Sequence, residues 1–267
     1  MNYLQVFGAS ALAIAVLMVG TWFVSLALKN ASIVDIVWGA GFVLVGWVSY
    51  TVGDGTESRR LLLACMVTLW GGRLAIYLFI RNHGKGEDPR YVAMRRKRGD
   101  KFALQSLWLV FGLQGVLMWI VSLPVQMGSV PDQPDSLGPV EIVGIVLYTV
   151  GVYFESMGDM QLSHFKADPD NADKVMDQGL WRYTRHPNYF GDFCVWWGLY
   201  AIALATGDAW WSLAGPLVMS VLLMRVSGVT LLERHMTRSR PGYEEYARVT
   251  SPFFPRPPRS ARRSAPD

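Results

Sequence analysis

Long apolar runs are the feature that most constrains how this chain can fold. Each run is close to the ~20 residues that cross the ~30 Å hydrocarbon core of a bilayer. The runs cover residues 4–28, 33–53, 61–81, 105–127, 138–158, 189–206 and 209–232. Within lipid an α-helix satisfies its own backbone donors and acceptors. The sequence therefore predicts an all-α, polytopic membrane bundle of about seven transmembrane helices.

The composition agrees with a membrane protein. Apolar residues make up 51% of the chain and charged residues only 17%, whereas soluble domains carry about 25% charged residues. The net charge is +4, but the basic residues lie in short segments between apolar runs. This distribution is typical of membrane loops. We therefore expect membrane lipids as partners and no nucleic acid.

The loop charges predict an orientation. The loops after the third and fifth runs are rich in Lys and Arg, whereas the loop after the fourth run carries Asp132 and Asp135 without a cation. Basic loops stay in the cytosol, so the N-terminus is predicted outside and the C-terminus cytosolic. Arg59 and Arg60 conflict with this, since they fall on a predicted outer loop. The Ala-, Gly-, Arg- and Trp-rich composition favours a bacterial inner membrane.

The sequence contains few signals for separate domains or for a metal site. No linker is long enough to separate two domains, so we expect a single domain over residues 1–255 and a disordered basic tail over residues 256–267. Cys65 and Cys194 have no nearby partner, and the four histidines lack H-x-x-H or H-E-x-x-H spacing. No metal site is predicted.

Polar side chains within the apolar runs are the candidates for function. A charged group at the centre of a span costs about 2.5–3.5 kcal/mol on insertion scales, so such groups usually serve a function. The alternative is an ion pair that only holds two helices together. The residues concerned are Asp35, Arg73, Gln114, Glu155, Asp159, Asp192 and Arg225.

One cluster follows from helical spacing. Glu155, Asp159 and Lys166 are four and seven residues apart, which places them on one helix face. The two carboxylates repel each other and need cations nearby. A face with acids and a base beside arginines suits a ligand that has both hydroxyls and phosphates. The candidate cations are Arg182, Arg185 and Arg225.

A second cluster lies in residues 179–192. Pro187 is near the start of the sixth run, an accepted place for proline in a helix. The amides of that helix start, with Asn188, are then able to bind an anion or a carboxamide. The aromatic residues here are expected at the membrane interface. The functional candidates are Arg185, His186, Asn188 and Asp192.

In the first half of the chain, polar residues alternate with tryptophan at helical spacing. Asp35 and Trp38 lie three residues apart, as do Trp70 and Arg73, and the segment 87–91 (E-D-P-R-Y) follows the third run. We interpret these residues as candidates for a substrate cavity.

These residues carry a family resemblance. The run G-L-W-R-Y-T-R-H-P-N-Y-F-G-D, the Glu155/Asp159/Lys166 face, and the closing Arg225, Glu233, P-G-Y-E-E-Y and F-F-P resemble the C-terminal domain of steroid 5α-reductases. The segments V-D-I-V-W-G and R-N-H-G-K-G-E-D-P-R-Y resemble the bacterial branch of that superfamily. The resemblance implies a seven-helix membrane reductase whose half over residues 137–255 binds NADPH from the cytosol.

The resemblance also implies residue roles. It places cofactor contacts at Glu155, Asp159, Lys166, Asn188 and Arg225. Together with the cluster residues and Glu233, the predicted cofactor-binding set also includes Arg182, Arg185, His186, Asp192 and Glu233. In steroid reductases a Tyr in the third span and a Glu in the second polarise the substrate carbonyl. Here Trp70 stands at the Tyr position and Asp35 replaces the Glu, with Arg73 nearby. Either Tyr77 or Tyr91 then serves as donor, or the substrate is not a 3-oxo-steroid.

The expected function is NADPH-dependent reduction of an activated carbon–carbon double bond in a steroid-like or other lipid. One alternative is an S-adenosylmethionine-dependent methyltransferase of the isoprenylcysteine or phospholipid type, in which R-H-P-x-Y also occurs. Those enzymes tend to carry paired Glu in the last span, whereas Arg234 follows Glu233 here. A further alternative is an inactive lipid-binding membrane protein.

Overall fold

The computed structural model describes residues 3–226 and 229–259, and every regular element in that part is helical. The α-helices are α1 (Tyr3–Leu28), α2 (Ile33–Val52), α3 (Glu57–Asn82), α4 (Pro89–Arg98), α5 (Phe102–Ser106), α6 (Leu113–Val121), α7 (Leu123–Gly128), α8 (Pro139–Ala167), α9 (Pro187–Leu204), α10 (Ala214–Val221), α11 (Val229–Ser239) and α12 (Tyr243–Val249). Leu107–Gly112 and Leu222–Val226 are π-helical.

Helices long and apolar enough to cross a membrane confirm the prediction of an all-α, multi-pass membrane protein. Five such segments occur in the described part of the chain: Tyr3–Leu28, Ile33–Val52, Glu57–Asn82, Pro89–Val121 and Pro139–Ala167. Large apolar side chains stay exposed along them, as lipid-facing positions require. The helix Trp210–Val226 is apolar but shorter. The count of seven spans stays a prediction.

The two arginines predicted on an outer loop lie instead in the first turn of α3, so that placement is wrong. The buried guanidinium of Arg59 donates to the carbonyl oxygen of Pro131 at 3.1 Å. Arg60 donates to the carbonyl oxygens of Tyr50 and Gly53, each at 2.6 Å. Helix α3 therefore begins before the apolar run, with two charged side chains whose guanidinium groups are satisfied by backbone carbonyls.

The described chain forms two compact units. The first contains the residues up to Ile142 together with Leu199–Gly215, and the second contains Val143–Gly198 and the residues from Pro216 onward. The predicted cofactor-binding half, residues 137–255, covers the second unit as far as residue 255 but also includes residues 137–142 and Leu199–Gly215 of the first unit.

Close backbone contact joins α2 and α3 in the first unit. A Cβ placed on Gly39 would lie 2.4 Å from the carbonyl oxygen of Gly71. Beside this contact, the rings of Phe42 and Trp70 pack edge to face with centroids 5.5 Å apart, and both side chains are fully buried. Trp70 therefore packs in the α2–α3 contact.

Glycines at seven-residue spacing join α8 and α9 in the second unit. A Cβ on Gly151 would lie 2.6 Å from the carbonyl oxygen of Gly191, and a Cβ on Gly198 would lie 2.7 Å from that of Gly144. A Cβ on Gly158 would lie 3.1 Å from a backbone nitrogen at the start of α9. Small residues of this kind let helix backbones approach in membranes. The α8–α9 pair is therefore a backbone-to-backbone contact.

The segment after α12 is hydrogen-bonded over its first residues. The amide of Arg256 donates to the carbonyl oxygen of Tyr183 at 3.0 Å, and that of Arg259 donates to Val249 at 2.9 Å. The tail over residues 256–267 was predicted to be disordered. Residues 260–267 of it lie outside the described residues.

Candidate functional site

The segment between α8 and α9 is fixed to α8 by side-chain hydrogen bonds. The amide of Leu180 donates to Oε1 of Gln161 at 3.0 Å, and the indole Nε1 of Trp181 donates to the carbonyl oxygen of Gly158 at 3.1 Å. The phenol of Tyr246, on α12, donates to the carbonyl oxygen of Trp181 at 2.5 Å. Because these groups are buried and satisfied, they hold the segment in one conformation.

The same segment pairs with the chain that follows α12. Thr184 and Ser251 form an isolated parallel bridge, and the amide of Arg185 donates to the carbonyl oxygen of Ser251 at 2.9 Å. The hydroxyl of Thr184 donates to the carbonyl oxygen of Phe253 at 2.7 Å. The F-F-P run therefore positions the residues immediately before α9.

Two buried carboxylates lie one turn apart on α8. Glu155 is 4% exposed and Asp159 is 5% exposed. The side-chain amide of Asn188 donates to Oδ1 of Asp159 at 3.2 Å, and Oδ1 of Asn188 accepts the amide of Tyr189 at 3.1 Å. The structure thus brings together Asp159 and Asn188, which the sequence assigned to two separate clusters.

A second polar group joins Arg185, His186 and Glu233. Oε1 of Glu233 lies 3.1 Å from Nε of Arg185 and 3.3 Å from Nε2 of His186. Burial lowers the pKa of His186 below its usual value and Arg185 lowers it further, although Glu233 opposes the shift. A neutral ring that donates Nε2–H to Glu233 leaves Nδ1 as an acceptor. The ring also stacks on Tyr189, with centroids 5.4 Å apart.

A cavity of about 590 Å³ adjoins this group. Four cations contribute to its lining, namely Lys166, Lys174, Arg185 and Arg240. Aromatic side chains, including those of Trp181, Tyr243 and Tyr246, form much of the remaining wall. Among the described residues that line it there is no Asp or Glu. Burial also raises the pKa of Tyr243 to about 12. The cavity therefore favours an anionic ligand that carries a flat ring.

The structure places the predicted cofactor residues in different surroundings. Lys166, Arg185 and His186 line the cavity, whereas Arg182 lines a neighbouring, more open hollow of about 1,060 Å³ that shares Lys174 and Tyr246 with it. Arg225 is exposed in the π-helical segment, and Asp192 is half-buried in the second turn of α9.

The E-D-P-R-Y segment builds a polar cluster in the first unit. Asp88 caps α4, because its side chain accepts the amide of Arg90 at 2.9 Å and proline occupies the first helical position. Glu87 accepts the amide of Ala31 at 2.7 Å and pairs with Arg95 at 2.8 Å. Burial raises the pKa of Glu87, but the Arg95 and Ala31 hydrogen bonds outweigh it, so the pKa lies below its usual value.

Asp35 and Tyr91 meet in this cluster. The phenol of Tyr91 donates to Oδ1 of Asp35 at 2.8 Å, and Nη2 of Arg90 donates to Oδ2 at 2.9 Å. The side-chain amide of Gln114 donates to the phenolic oxygen of Tyr91 at 3.2 Å. Tyr91 is 6% exposed. The cluster therefore holds one phenol in a fixed direction.

The other two catalytic candidates lie on α3. Arg73 and Tyr77 are four residues apart and both are half-buried. The guanidinium carbon of Arg81 lies 5.6 Å from the ring centroid of Tyr77, a cation–π arrangement. Of the two donors that the sequence left open, Tyr91 is the one that the structure places against Asp35.

A comparison of the sequence with protein families gives one match over most of the chain. The family profile described as a protein of unknown function (DUF1295) matches residues 21–250. The chain belongs to the DUF1295 family. The matched region of this DUF1295 chain contains the Asp35–Tyr91 cluster of the first unit. It also contains the polar groups of the second unit, Asp159 with Asn188 and Arg185 with His186 and Glu233.

Among curated proteins, an uncharacterized protein of Schizosaccharomyces pombe is similar to this DUF1295 chain. The two are 24% identical over 269 residues, which cover 88% of this chain and 75% of the relative. No solved structure matches the chain.

Several residues of the candidate site in the second unit of the DUF1295 chain were not identified as site residues from its sequence. Tyr243 and Tyr246 belong to the P-G-Y-E-E-Y motif, which was a usable signal. Gln161 carried no signal, because its role depends on a contact with Leu180 far along the chain. No group of three or more His, Cys, Asp or Glu suited to a metal ion occurs in the described residues.

Proposed function

We propose that this DUF1295 protein is a membrane-embedded, NADPH-dependent reductase of an activated carbon–carbon double bond in a steroid-like or other lipid. We propose further that it has seven spans with a cytosolic C-terminus in a bacterial inner membrane. The observation that carries the cofactor proposal is the cationic, aromatic-walled cavity of the second unit. Its size falls within the range of about 300–1,000 Å³ typical of cofactor pockets.

The charge of the cavity separates the two candidate cofactors. NADPH carries phosphates, which Arg and Lys side chains bind through charge-assisted hydrogen bonds. S-adenosylmethionine carries a sulfonium and an ammonium group but no phosphate. The cavity lining contributes Lys166, Lys174, Arg185 and Arg240 and, among its described residues, no carboxylate. This excess of cations over carboxylates in the lining favours NADPH over S-adenosylmethionine.

For the first unit taken by itself, we propose that its polar cluster offers a hydrogen bond to the oxygen of a developing enolate. When bound, NADPH supplies hydride to the β-carbon of an enone. The electron pair of the double bond then moves onto the carbonyl oxygen, and protonation of the α-carbon completes the reduction. Tyr91 is assigned the hydrogen bond to that oxygen, for which its single O–H turns from Asp35 to the substrate; this kind of interaction usually contributes most to such catalysis. Asp35 and Gln114 fix the direction of the phenol.

The test is ligand-dependent thermal unfolding of the detergent-purified protein with NADPH, NADH and S-adenosylmethionine in parallel. A ligand that binds only the folded state stabilises it by about 2.7 kcal/mol at a hundredfold excess over Kd. We expect NADPH to raise the Tm and S-adenosylmethionine to leave it unchanged. A shift with S-adenosylmethionine alone would replace the reductase proposal with the methyltransferase.

Two variants localise the ligand. Arg240 lines the cavity, whereas Arg238, also basic and nearby in sequence, is exposed and does not. Arg240→Gln should reduce the NADPH-induced shift, and Arg238→Gln should retain it. NADPH oxidation is then followed with lipid enones. Tight binding of NADPH without oxidation by any lipid enone would favour the inactive lipid-binding alternative.

A further inference from the structure

A second cavity, of about 310 Å³, lies in the first unit, where the turn between α1 and α2 meets the end of α3 and the loop after it. Its lining is divided by chemistry. The polar part includes Asn30, Asn82 and Lys85, and the apolar part consists of Ile33, Ile36 and Phe79. A cavity with both kinds of wall suits an amphiphilic ligand.

The walls of this cavity are joined by hydrogen bonds, so it is pre-formed. The amide of Ala31 donates to Glu87 at 2.7 Å, and the amide of Asp88 donates to Oγ of Ser32 at 2.8 Å. The hydroxyl of Ser32 donates to Oδ1 of Asn30 at 2.6 Å. These bonds hold the loop after α3 against the α1–α2 turn.

The charge balance of the lining favours an anion. Glu87 pairs with Arg95 at 2.8 Å, and Asp88 pairs with Arg90 at 2.9 Å, but Arg90 also binds Asp35 at 2.9 Å. Arg81 acts electrostatically on Asp88 as well, so three arginines match these three carboxylates. Lys85 is exposed and forms no ion pair with any residue that the structure describes. Its ammonium group is therefore available to a phosphate.

An apolar groove of about 370 Å³ lies on the other side of a shared lining residue, Ile33. It runs between α1 and α2 and shares Ile33 with the polar cavity; its lining also includes Val16, Leu17, Gly20, Val24 and Val37. Gly20 contributes no side chain, and a Cβ at this position would meet no atom within 4 Å. The groove therefore offers a hydrocarbon chain an apolar surface that no side chain at Gly20 obstructs.

We propose that the cavity and the groove together bind one membrane phospholipid with an anionic headgroup. The phosphate lies beside Lys85 and one acyl chain lies along the groove past Gly20. Free phosphate would use only the polar cavity, and a hydrocarbon would use only the groove. The site belongs to the first unit, and the proposal does not depend on the reductase function.

The experiment measures lipid binding to the full-length, detergent-purified chain by thermal shift and native mass spectrometry. The probes are short-chain phosphatidylglycerol, short-chain phosphatidylcholine and inorganic phosphate. We expect phosphatidylglycerol to bind about tenfold more tightly than phosphatidylcholine, and phosphate to give no shift. Gly20→Phe and Lys85→Gln should each weaken phosphatidylglycerol binding by about tenfold.

Matched controls separate the site from general lipid contact. Gly8 lies on α1, is exposed, and also has open space around its missing Cβ, and Lys97 is an exposed cation on α4. Gly8→Phe and Lys97→Gln should leave binding unchanged. Equal affinity for both lipids in all variants would mean non-selective contact with bulk lipid and would overturn the proposal. A full shift with inorganic phosphate alone would also overturn it, in favour of a free-phosphate site.

Discussion

The side-chain amide of Asn188 donates a hydrogen bond to the buried carboxylate of Asp159, although the two residues are 29 positions apart in the chain. Gly158 makes this possible, because the absence of a side chain there lets the start of α9 approach α8. A carboxylate that is only 5% exposed needs such a donor. This hydrogen bond therefore joins the helix contact to the candidate cofactor region.

Replacement of Asn188 should show how much the carboxylate depends on it. Asn188→Ala removes a donor to a charged group, so we expect a loss of about 1.5–3 kcal/mol in the free energy of unfolding and weaker NADPH binding. Asn188→Asp should be worse, because it places a second carboxylate beside Asp159. Thermal unfolding with and without NADPH measures both effects. Wild-type stability and affinity in Asn188→Ala would show that this hydrogen bond has no such role.

The glycine contact between α8 and α9 should not tolerate even a methyl group. In Gly191→Ala, the new Cβ would lie 2.5 Å from the amide nitrogen of Glu155 and from the carbonyl oxygen of Gly151, and backbone atoms cannot move aside alone. We expect a loss of about 1–3 kcal/mol or more, measured by thermal unfolding in detergent.

The matched control is Gly72→Ala on α3. A Cβ on Gly72 would meet no atom within 4 Å. Its stability should stay within about 1 kcal/mol of wild type, since alanine only raises helix propensity there. Equal losses in the two variants would mean that the close approach at Gly191 is not what matters.

Tyr91→Phe should separate turnover from cofactor binding. The variant keeps the ring but removes the hydroxyl that donates to Asp35. If Tyr91 binds the enolate oxygen, kcat with a lipid enone falls by about 10²-fold or more, while the NADPH-induced thermal shift is retained. Asp35→Asn should also lower turnover more than cofactor affinity.

Tyr77→Phe is the control for this measurement, since Tyr77 lies on α3 beside Arg81. It should retain most of the activity. If Tyr77→Phe loses turnover and Tyr91→Phe does not, the donor has been assigned to the wrong tyrosine.

Stability should depend on pH through His186. Burial lowers the pKa of this histidine from its usual 6.5, so below that value the unfolded chain binds more protons than the folded one. The stability that comes from keeping His186 neutral is fully present above about pH 6.5 and is lost as the pH falls towards the lowered pKa. Between pH 7.5 and 5 the Tm of the wild type should therefore decrease more steeply than that of His186→Gln. His164→Gln, at an exposed position of α8, should follow the wild-type curve; parallel curves for all three proteins would contradict the prediction.

Apolar length was sufficient to predict several helices. The predicted spans 4–28 and 33–53 agree with Tyr3–Leu28 and Ile33–Val52 within one residue. Lipid-facing helices must be apolar throughout, so their limits are visible in composition alone. Helix α3 begins four residues before its predicted span. Its first turn contains Arg59 and Arg60, which bind backbone carbonyls, and a hydropathy pattern contains no information about such contacts.

The site contacts that could be predicted from the sequence are those that follow from the spacing of residues within one helix. Helical spacing places Glu155 and Asp159 on one face of α8, but their relation to Asn188 depends on how two helices pack. The Asp35–Tyr91 contact is similar, since it joins residues 56 positions apart. It forms because Glu87 and Asp88 fasten the start of α4 to the turn before α2, and sequence spacing alone cannot indicate that register.

The glycine repeat of α8 and α9 also governs how the second unit responds to its bilayer. Membrane helices usually adapt to a change in hydrocarbon thickness by tilting. Two helices whose backbones are in direct contact at Gly151 and Gly191 should tilt as a single body. The distance from Asp159 to Asn188 should then stay the same in thin and thick membranes.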